Sequence, residues 1–188
     1  MKNILSVIFV LIAGAISTLD AKPAPGVTRT TETCGDPTLA VPFHRLYDAS
    51  IAHHLYCTGV ANTLAFDNTH VWTYQALAAF VFVTQEESTV PLHQMVNPTT
   101  ADRIYTTNAT EVTALEKTGY GVAALEPGYF IYPTQICGSV PFYRLSKVAI
   151  HDHFFTASET ERIAAIDSQG YADEGIAGYV FAPEPTQC

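Results

Sequence analysis

The chain has 188 residues and carries 18 acidic against 9 basic side chains, a net charge of −9 with no basic cluster. That balance argues against nucleic acid and against an anionic membrane surface as partners. A hydrophobic fraction of 48% is that of a chain with a core of its own, and the length suits one domain.

At the N-terminus, Lys2 precedes an apolar run over 4–16 and a string of small residues. This pattern predicts a signal peptide over 1–21, with cleavage after Ala21, or less favourably after Ser17. The run is shorter than the ~20 apolar residues a membrane span needs, and no later stretch approaches that length. The expectation is a soluble, secreted, extracellular protein, monomer favoured. Residues 22–40 begin with a Pro- and Thr-rich stretch without periodicity and read as a flexible leader.

From residue 41 a motif occurs three times. Val41-Pro42-Phe43-His44-Arg45-Leu46 returns as Val90-Pro91-Leu92-His93-Gln94-Met95 and as Val140-Pro141-Phe142-Tyr143-Arg144-Leu145. The copies end alike, in Ala78-Ala79-Phe80-Val81-Phe82, Pro127-Gly128-Tyr129-Phe130-Ile131 and Ala177-Gly178-Tyr179-Val180-Phe181. A constant period of this size means one unit built three times, each burying an apolar face on its neighbours. The predicted domain is 41–188, in repeats 41–89, 90–139 and 140–188.

Repeat 3 is the clearest. It predicts a strand over 140–146, a turn over 147–151 and a strand over 152–157 rich in aromatic residues and Thr. Ser158-Glu159-Thr160-Glu161 reads as a capping box, and a helix follows with Ile163 and Ile166 on its apolar face. Gly170 ends the helix in the left-handed region. Two short strands follow, with Gly175 and Gly178 at tight points. Repeat 2 keeps the plan, with a helix starting at Asn108 and closing at Gly119-Tyr120. Repeat 1 has drifted: Gly59 to Asn68 fills the helix slot without a capping box, and Trp72 and Tyr74 stand where the others have Gly-Tyr. The predicted fold class is α+β, mostly β. Its three repeats of strand, strand, short helix and two short strands would form a pseudo-threefold closed ring, propeller-like, since closure removes exposed sheet edges. An open array is the alternative.

These motifs resemble a family of uncharacterised tandem-repeat domains. The family pattern runs V-P-L-Y-R-L-Y, then D-H-F-Y-T-T, then G-Y-x-x-E-G-x-A-G-Y-V-F. Repeat 3 matches it best, through Asp152-His153-Phe154-Phe155-Thr156 and 170–181. Repeat 2 keeps Asp102 but has Arg103 for the His; repeat 1 keeps His54 but has His53 for the Asp. The resemblance covers about 41–183. It implies a module of secreted fungal proteins, also appended to bacterial cell-wall hydrolases and peptidases, with an accessory or binding role.

His151-Asp152-His153 and His53-His54 invite a metal reading. A slot filled in every repeat reads instead as a structural device, so no metal and no cofactor are expected. If the slots are scaffold, Asp152→Ala should cost about 1 kcal/mol, the size of one lost cap bond. A hydrolase would need a nucleophile with its base, or two carboxylates flanking a cleft. Glu126 and Glu174 recur after the helix, with Gln75 in repeat 1, and no unique catalytic signature stands out. The favoured function is a non-enzymatic binding module for an extracellular or cell-wall glycan. A secreted hydrolase with a carboxylate or His centre, or a protein-interaction scaffold, is the alternative. The expected ligand residues are Tyr47, Tyr56, Trp72 and Tyr74 of the divergent repeat, with His54, Asp102, Asp152 and His153.

Four cysteines, Cys34, Cys57, Cys137 and Cys188, predict two disulfides in a secreted chain. Ring closure favours Cys34–Cys188 with Cys57–Cys137; Cys34–Cys137 with Cys57–Cys188 is the next choice. Asn108-Ala109-Thr110 is the one N-glycosylation sequon.

Overall fold

A computed structural model describes residues 32–60, 71–123 and 128–183. The expected signal peptide, the first part of the leader, most of the repeat 1 helix slot, Glu126 and Cys188 lie outside the described residues.

Repeat 1 contributes β1 (Val41–Asp48), β2 (His53–Cys57) and β3 (Thr73–Val81). Repeat 2 contributes β4 (Val90–Val96), β5 (Arg103–Thr106), α1 (Ala109–Glu116), β6 (Gly121–Val122) and β7 (Tyr129–Ile131). Repeat 3 contributes β8 (Val140–Lys147), β9 (Asp152–Thr156), α2 (Glu159–Gln169) and β10 (Ala172–Val180). The V-P strand is central in each sheet: β2-β1-β3, β5-β4-β6 with β7 also on β4, and β9-β8-β10, all antiparallel.

The three sheets are separate, and no closed sheet forms among the described residues. This overturns the expected propeller-like ring. Two local causes are visible. First, the two short strands predicted at the end of repeat 3 are one strand, β10. Its register against β8 slips between Asp173 and Gly175 and again between Ile176 and Gly178. Gly175 adopts φ 92° at the first slip, a conformation that favours glycine. Second, neighbouring sheets meet mainly through side chains where a ring would need paired backbones. Tyr105 donates its hydroxyl to the Tyr56 carbonyl (2.8 Å) and accepts from the Tyr56 N–H (3.1 Å). Tyr56 does the same to Phe155, at 2.8 and 2.6 Å. Ladder groups of β2 and β9 that face another sheet are thus satisfied by phenols, as buried backbone polar groups must be. Among the described residues, direct backbone contact between sheets is confined to single bridges, Phe80–Phe181, Phe82–Phe130 and Tyr132–Tyr179.

Those bridges also correct the alignment of the repeat ends. Val81, Ile131 and Val180 lie opposite Val41, Val90 and Val140. Repeat 2 therefore ends Phe130-Ile131-Tyr132, one residue later than the sequence motif suggested.

One apolar cluster draws on all three repeats: Phe43, Leu92 and Phe142 from the V-P strands, Tyr56, Tyr105 and Phe155 from the second strands, and Val81, Ile131 and Val180 from the last. Burying each such side chain contributes about 1.5–3 kcal/mol. Below it, Phe82, Tyr132 and Phe181 pack edge to face, with ring centroids 5.9–6.0 Å apart.

Both described helices start as predicted. Asn108 Oδ1 accepts from the N–H groups of Thr110 and Glu111, and Ser158 Oγ from that of Glu161. Gly170 closes α2 at φ 74°. Of the predicted apolar face of α2, Ile166 packs against the cluster of Leu145, Phe154, Ala165 and Tyr171, whereas Ile163 is 48% exposed.

The second part of the predicted leader is packed against the domain. Asp36 caps a 3-10 turn over Pro37–Leu39, and the Gly35 N–H donates to the Tyr132 hydroxyl at 3.2 Å. Cys34 is bonded to Cys137, in the loop between repeats 2 and 3. That pairing overturns the favoured Cys34–Cys188 and Cys57–Cys137, which assumed that the two chain ends meet. Cys57 is fully buried in β2, packed with Leu46, Leu55 and Trp72.

Candidate functional site

The recurring Asp/His slots form joints between repeats. Asp152 Oδ1 accepts from the His54 N–H and Oδ2 lies 2.7 Å from His54 Nδ1, while Tyr171 of the same repeat donates to Oδ2 at 2.5 Å. Asp102 repeats the arrangement one boundary on. His153 Nδ1 lies 2.8 Å from its Oδ1, and Tyr120 donates to its Oδ2 at 2.6 Å. Each Asp thus ties its own Gly-Tyr tyrosine to the histidine of another repeat. Burial first, then Asp152 beside it, pushes the Tyr171 hydroxyl far up; burial and Asp102 do the same to Tyr120.

The boundary between repeats 1 and 2 is built differently. Trp72 occupies the tyrosine slot and is only 6% exposed. Arg103, in the histidine slot, stacks over its ring at 5.0 Å. His53, in the aspartate slot, turns to repeat 3, with Nε2 2.7 Å from the Ile150 carbonyl. Two departures that look like independent drift in the sequence, Trp72 and Arg103, meet at one joint.

A second layer involves the arginine of the V-P motif. Arg45 forms a two-pronged pair with Glu161 of α2, at 2.9 and 2.5 Å, and its Nε donates to Gln75 at 2.5 Å. Arg144 pairs with Glu111 of α1 at 2.9 Å, and its Nε with Glu174 at 2.7 Å. The capping box predicts that Glu161 reaches back to its cap; it and Glu111 do otherwise. They point instead to these arginines, and Thr106 and Thr156 donate to them at 2.5 Å.

At Arg144 the second layer opens into a groove of about 440 Å³. Thr107, Asn108, Thr110 and Glu111 line it from repeat 2, with Arg144, Glu174 and Ile176 from repeat 3. Thr107 donates across it to the Ala177 carbonyl at 3.1 Å. Beneath it, His153 Nε2 lies 3.5 Å from Glu174. Burial alone would favour a neutral His153 ring, but the hydrogen bonds and charges of Asp102 and Glu174 outweigh it and hold the ring up at about 9. The His153 hydrogen bond first, then Ser146 and the charges of His153 and Arg144, hold Glu174 down at about 2 against its burial.

Of the residues expected to bind ligand, His54, Asp102, Asp152 and His153 are brought together in pairs at the joints, beneath the surface. Tyr56 is 0% exposed and Trp72 6%, so neither offers a face to a ligand; Tyr47 is half-buried against the His54 ring, and Tyr74 is 58% exposed. Asn108 is exposed on the groove rim. Sequence reasoning missed Glu111, Arg144 and Thr110 as a group. The signal available was the glutamate three residues after each helix cap, together with an arginine at a fixed place in the V-P motif. Among the described residues the one cluster with metal-ligand geometry is Glu32, Cys34 and Cys137, and its two sulfurs are already bonded to each other. No helix among them is long and apolar enough to cross a membrane.

Fold and site define a small, mostly-β module of three sequence repeats, disulfide-stapled, with Asp–His joints and an open polar groove between repeats 2 and 3. A family profile described as "Domain of unknown function (DUF5648)" matches residues 42–181, and the chain belongs to that family. No curated protein and no solved structure matches the chain.

Proposed function

We propose that this is a secreted, non-enzymatic module that binds an extracellular or cell-wall glycan in the groove between repeats 2 and 3. The observation that carries the reading is that the groove's carboxylates are already paired, Glu174 at 2.7 Å from Arg144 Nε and 3.5 Å from His153 Nε2, and Glu111 at 2.9 Å from Arg144. Glycoside hydrolysis needs one carboxylic acid with a raised pKa. Glu174 is instead held down at about 2, and His153 is held as a cation up to about 9. Glu111 is engaged by Arg144 and Thr106. Groups fixed in this way suit hydrogen bonding to hydroxyls, and Ile176, 48% exposed, offers apolar surface to a sugar ring. Secretion is supported by the N-terminal sequence pattern and the Cys34–Cys137 disulfide.

A glycan array followed by calorimetry on the purified protein tests this. Saccharide binding that is lost in Arg144→Gln, with no product in a hydrolase panel, is the expected result. Saccharide turnover that is lost in Glu174→Gln would establish a hydrolase in its place.

A further inference from the structure

Resting on that reading, we infer that the groove takes a hexosamine with a free amine, as the end or repeating unit of a glycan, and that the protein holds one such site. The argument starts from charge. The groups that meet along the groove and beneath it are Asp102, His153, Glu174, Arg144 and Glu111, linked in that order by contacts of 2.8, 3.5, 2.7 and 2.9 Å. Three are acidic and two are basic, so with all five charged the line is one positive charge short. The chain as a whole, at −9, is acidic as well. A uronate, sulfate or phosphate would enter against this field; one ammonium would complete the alternation.

Hydrogen-bonding capacity points the same way. Thr106 already donates to Glu111 and Thr107 to the Ala177 carbonyl, so neither hydroxyl is free to donate. Asn108 Oδ1 is engaged by the helix N–H groups. What remains in the groove is carboxylate lone pairs on Glu111 and Glu174, beside the Asn108 Nδ2 amide and the Thr110 hydroxyl. Set against those carboxylates, a free amine with neighbouring hydroxyls offers more donors than an acetamido group. For ligand acceptors, Arg144 Nη2 has no hydrogen-bond partner among the described residues.

The equivalent place between repeats 3 and 1 lacks these features. There Nε, Nη1 and Nη2 of Arg45 are all engaged, by Gln75, Glu161 and the Phe155 carbonyl, and the residue is only 4% exposed. The neutral Gln75 pairs with its Nε as Glu174 pairs with that of Arg144. Of these two boundaries only that between repeats 2 and 3 carries the additional carboxylate, the spare donor and the open groove, and repeat 2 has Gln94 in place of the arginine, so the expected stoichiometry is one.

The test is calorimetry of the whole protein with matched oligomers of glucosamine, N-acetylglucosamine, glucose and galacturonic acid. It is run near pH 6, where the amine is charged, at low and raised salt. Glucosamine oligomers are expected to bind at least about tenfold more tightly than the other three, with one site per chain, and to weaken as salt rises. Glu174→Gln or Glu111→Gln should erase that preference. The second variant guards against misfolding of the first, and the wild-type comparison needs neither. Equal or tighter binding of glucose, N-acetylglucosamine or galacturonate would overturn the inference and leave the glycan reading standing. Binding of none of the four, with an empty glycan array, would overturn both.

Discussion

Asp152 is 2% exposed and accepts three hydrogen bonds, two from His54 of repeat 1 and one from Tyr171. It does far more than the single cap expected from sequence. Asp152→Ala would strand a buried imidazole, a buried phenol and a backbone N–H, each worth about 1–3 kcal/mol when left unpaired. The expected loss is at least about 3 kcal/mol, read by urea titration; a loss near 1 would mean that water replaces the carboxylate. Trp72→Ala is the second test at this scale. The side chain packs with Leu46, Leu55 and Cys57 and lies under Arg103, so truncation should cost about 3–5 kcal/mol. Any loss of ligand binding should then follow unfolding. The recurrence of the Asp and His slots was legible in the sequence. Their partners were not, because a pattern along one repeat does not say which other repeat a side chain reaches. Trp72 misled for the same reason. Seen alone it was an exposed novelty, and only the meeting of Trp72 with Arg103 shows it to be a replacement joint.

The elements were legible where local chemistry decides them. The V-P strands, the aromatic second strands and both capped helices formed where their motifs stand, those of repeat 3 within a residue of their predicted limits. What failed was the step from short apolar runs to separate strands, since β-bulges at Gly175 and Gly178 let β10 continue through what looked like a break. Gly178 gives a direct check. A Cβ there would lie 2.3 Å from Ile131 Cδ1 and 3.2 Å from the Tyr132 carbonyl, beside the Tyr132–Tyr179 bridge. Gly178→Ala should therefore destabilise by about 1–3 kcal/mol through overpacking. Gly121→Ala, with open space around the new methyl, should change the thermal midpoint little. Equal effects would show that β10 has room to shift. At the head of α1, Asn108→Ala should cost about 1 kcal/mol through loss of the cap. A mass loss on peptide-N-glycosidase treatment of protein secreted by a eukaryotic host would show that the Asn108 sequon is used.

At the scale of the whole molecule, threefold repetition was plain in the sequence and the way the sheets join was not, because single bridges and tyrosine hydroxyls leave no periodic signature. Stability should follow from how the repeats are tied together. Cys34–Cys137 links positions 103 residues apart. By chain entropy a staple of that span contributes about 4–5 kcal/mol. Cys34→Ser with Cys137→Ser should lower the thermal midpoint accordingly, and peptide mapping should recover the 34–137 pair. The boundary between repeats 2 and 3 adds a dependence on pH. Glu174, at about 2 when folded against an ordinary 4.5, contributes stability that is fully present above 4.5 and lost as pH falls towards 2. His153, at about 9 against an ordinary 6.5, contributes stability that is fully present below 6.5 and lost as pH rises through 9. The two windows overlap between 4.5 and 6.5, so the midpoint should be highest there. It should fall on both sides by roughly 2–4 °C for each kcal/mol lost. Glu174→Gln removes one limb outright and takes from His153 one of the two carboxylates that raise it. Its profile should be flatter in acid and should begin to fall at lower pH on the alkaline side. A variant profile parallel to that of the wild type would show that this boundary does not set the pH response.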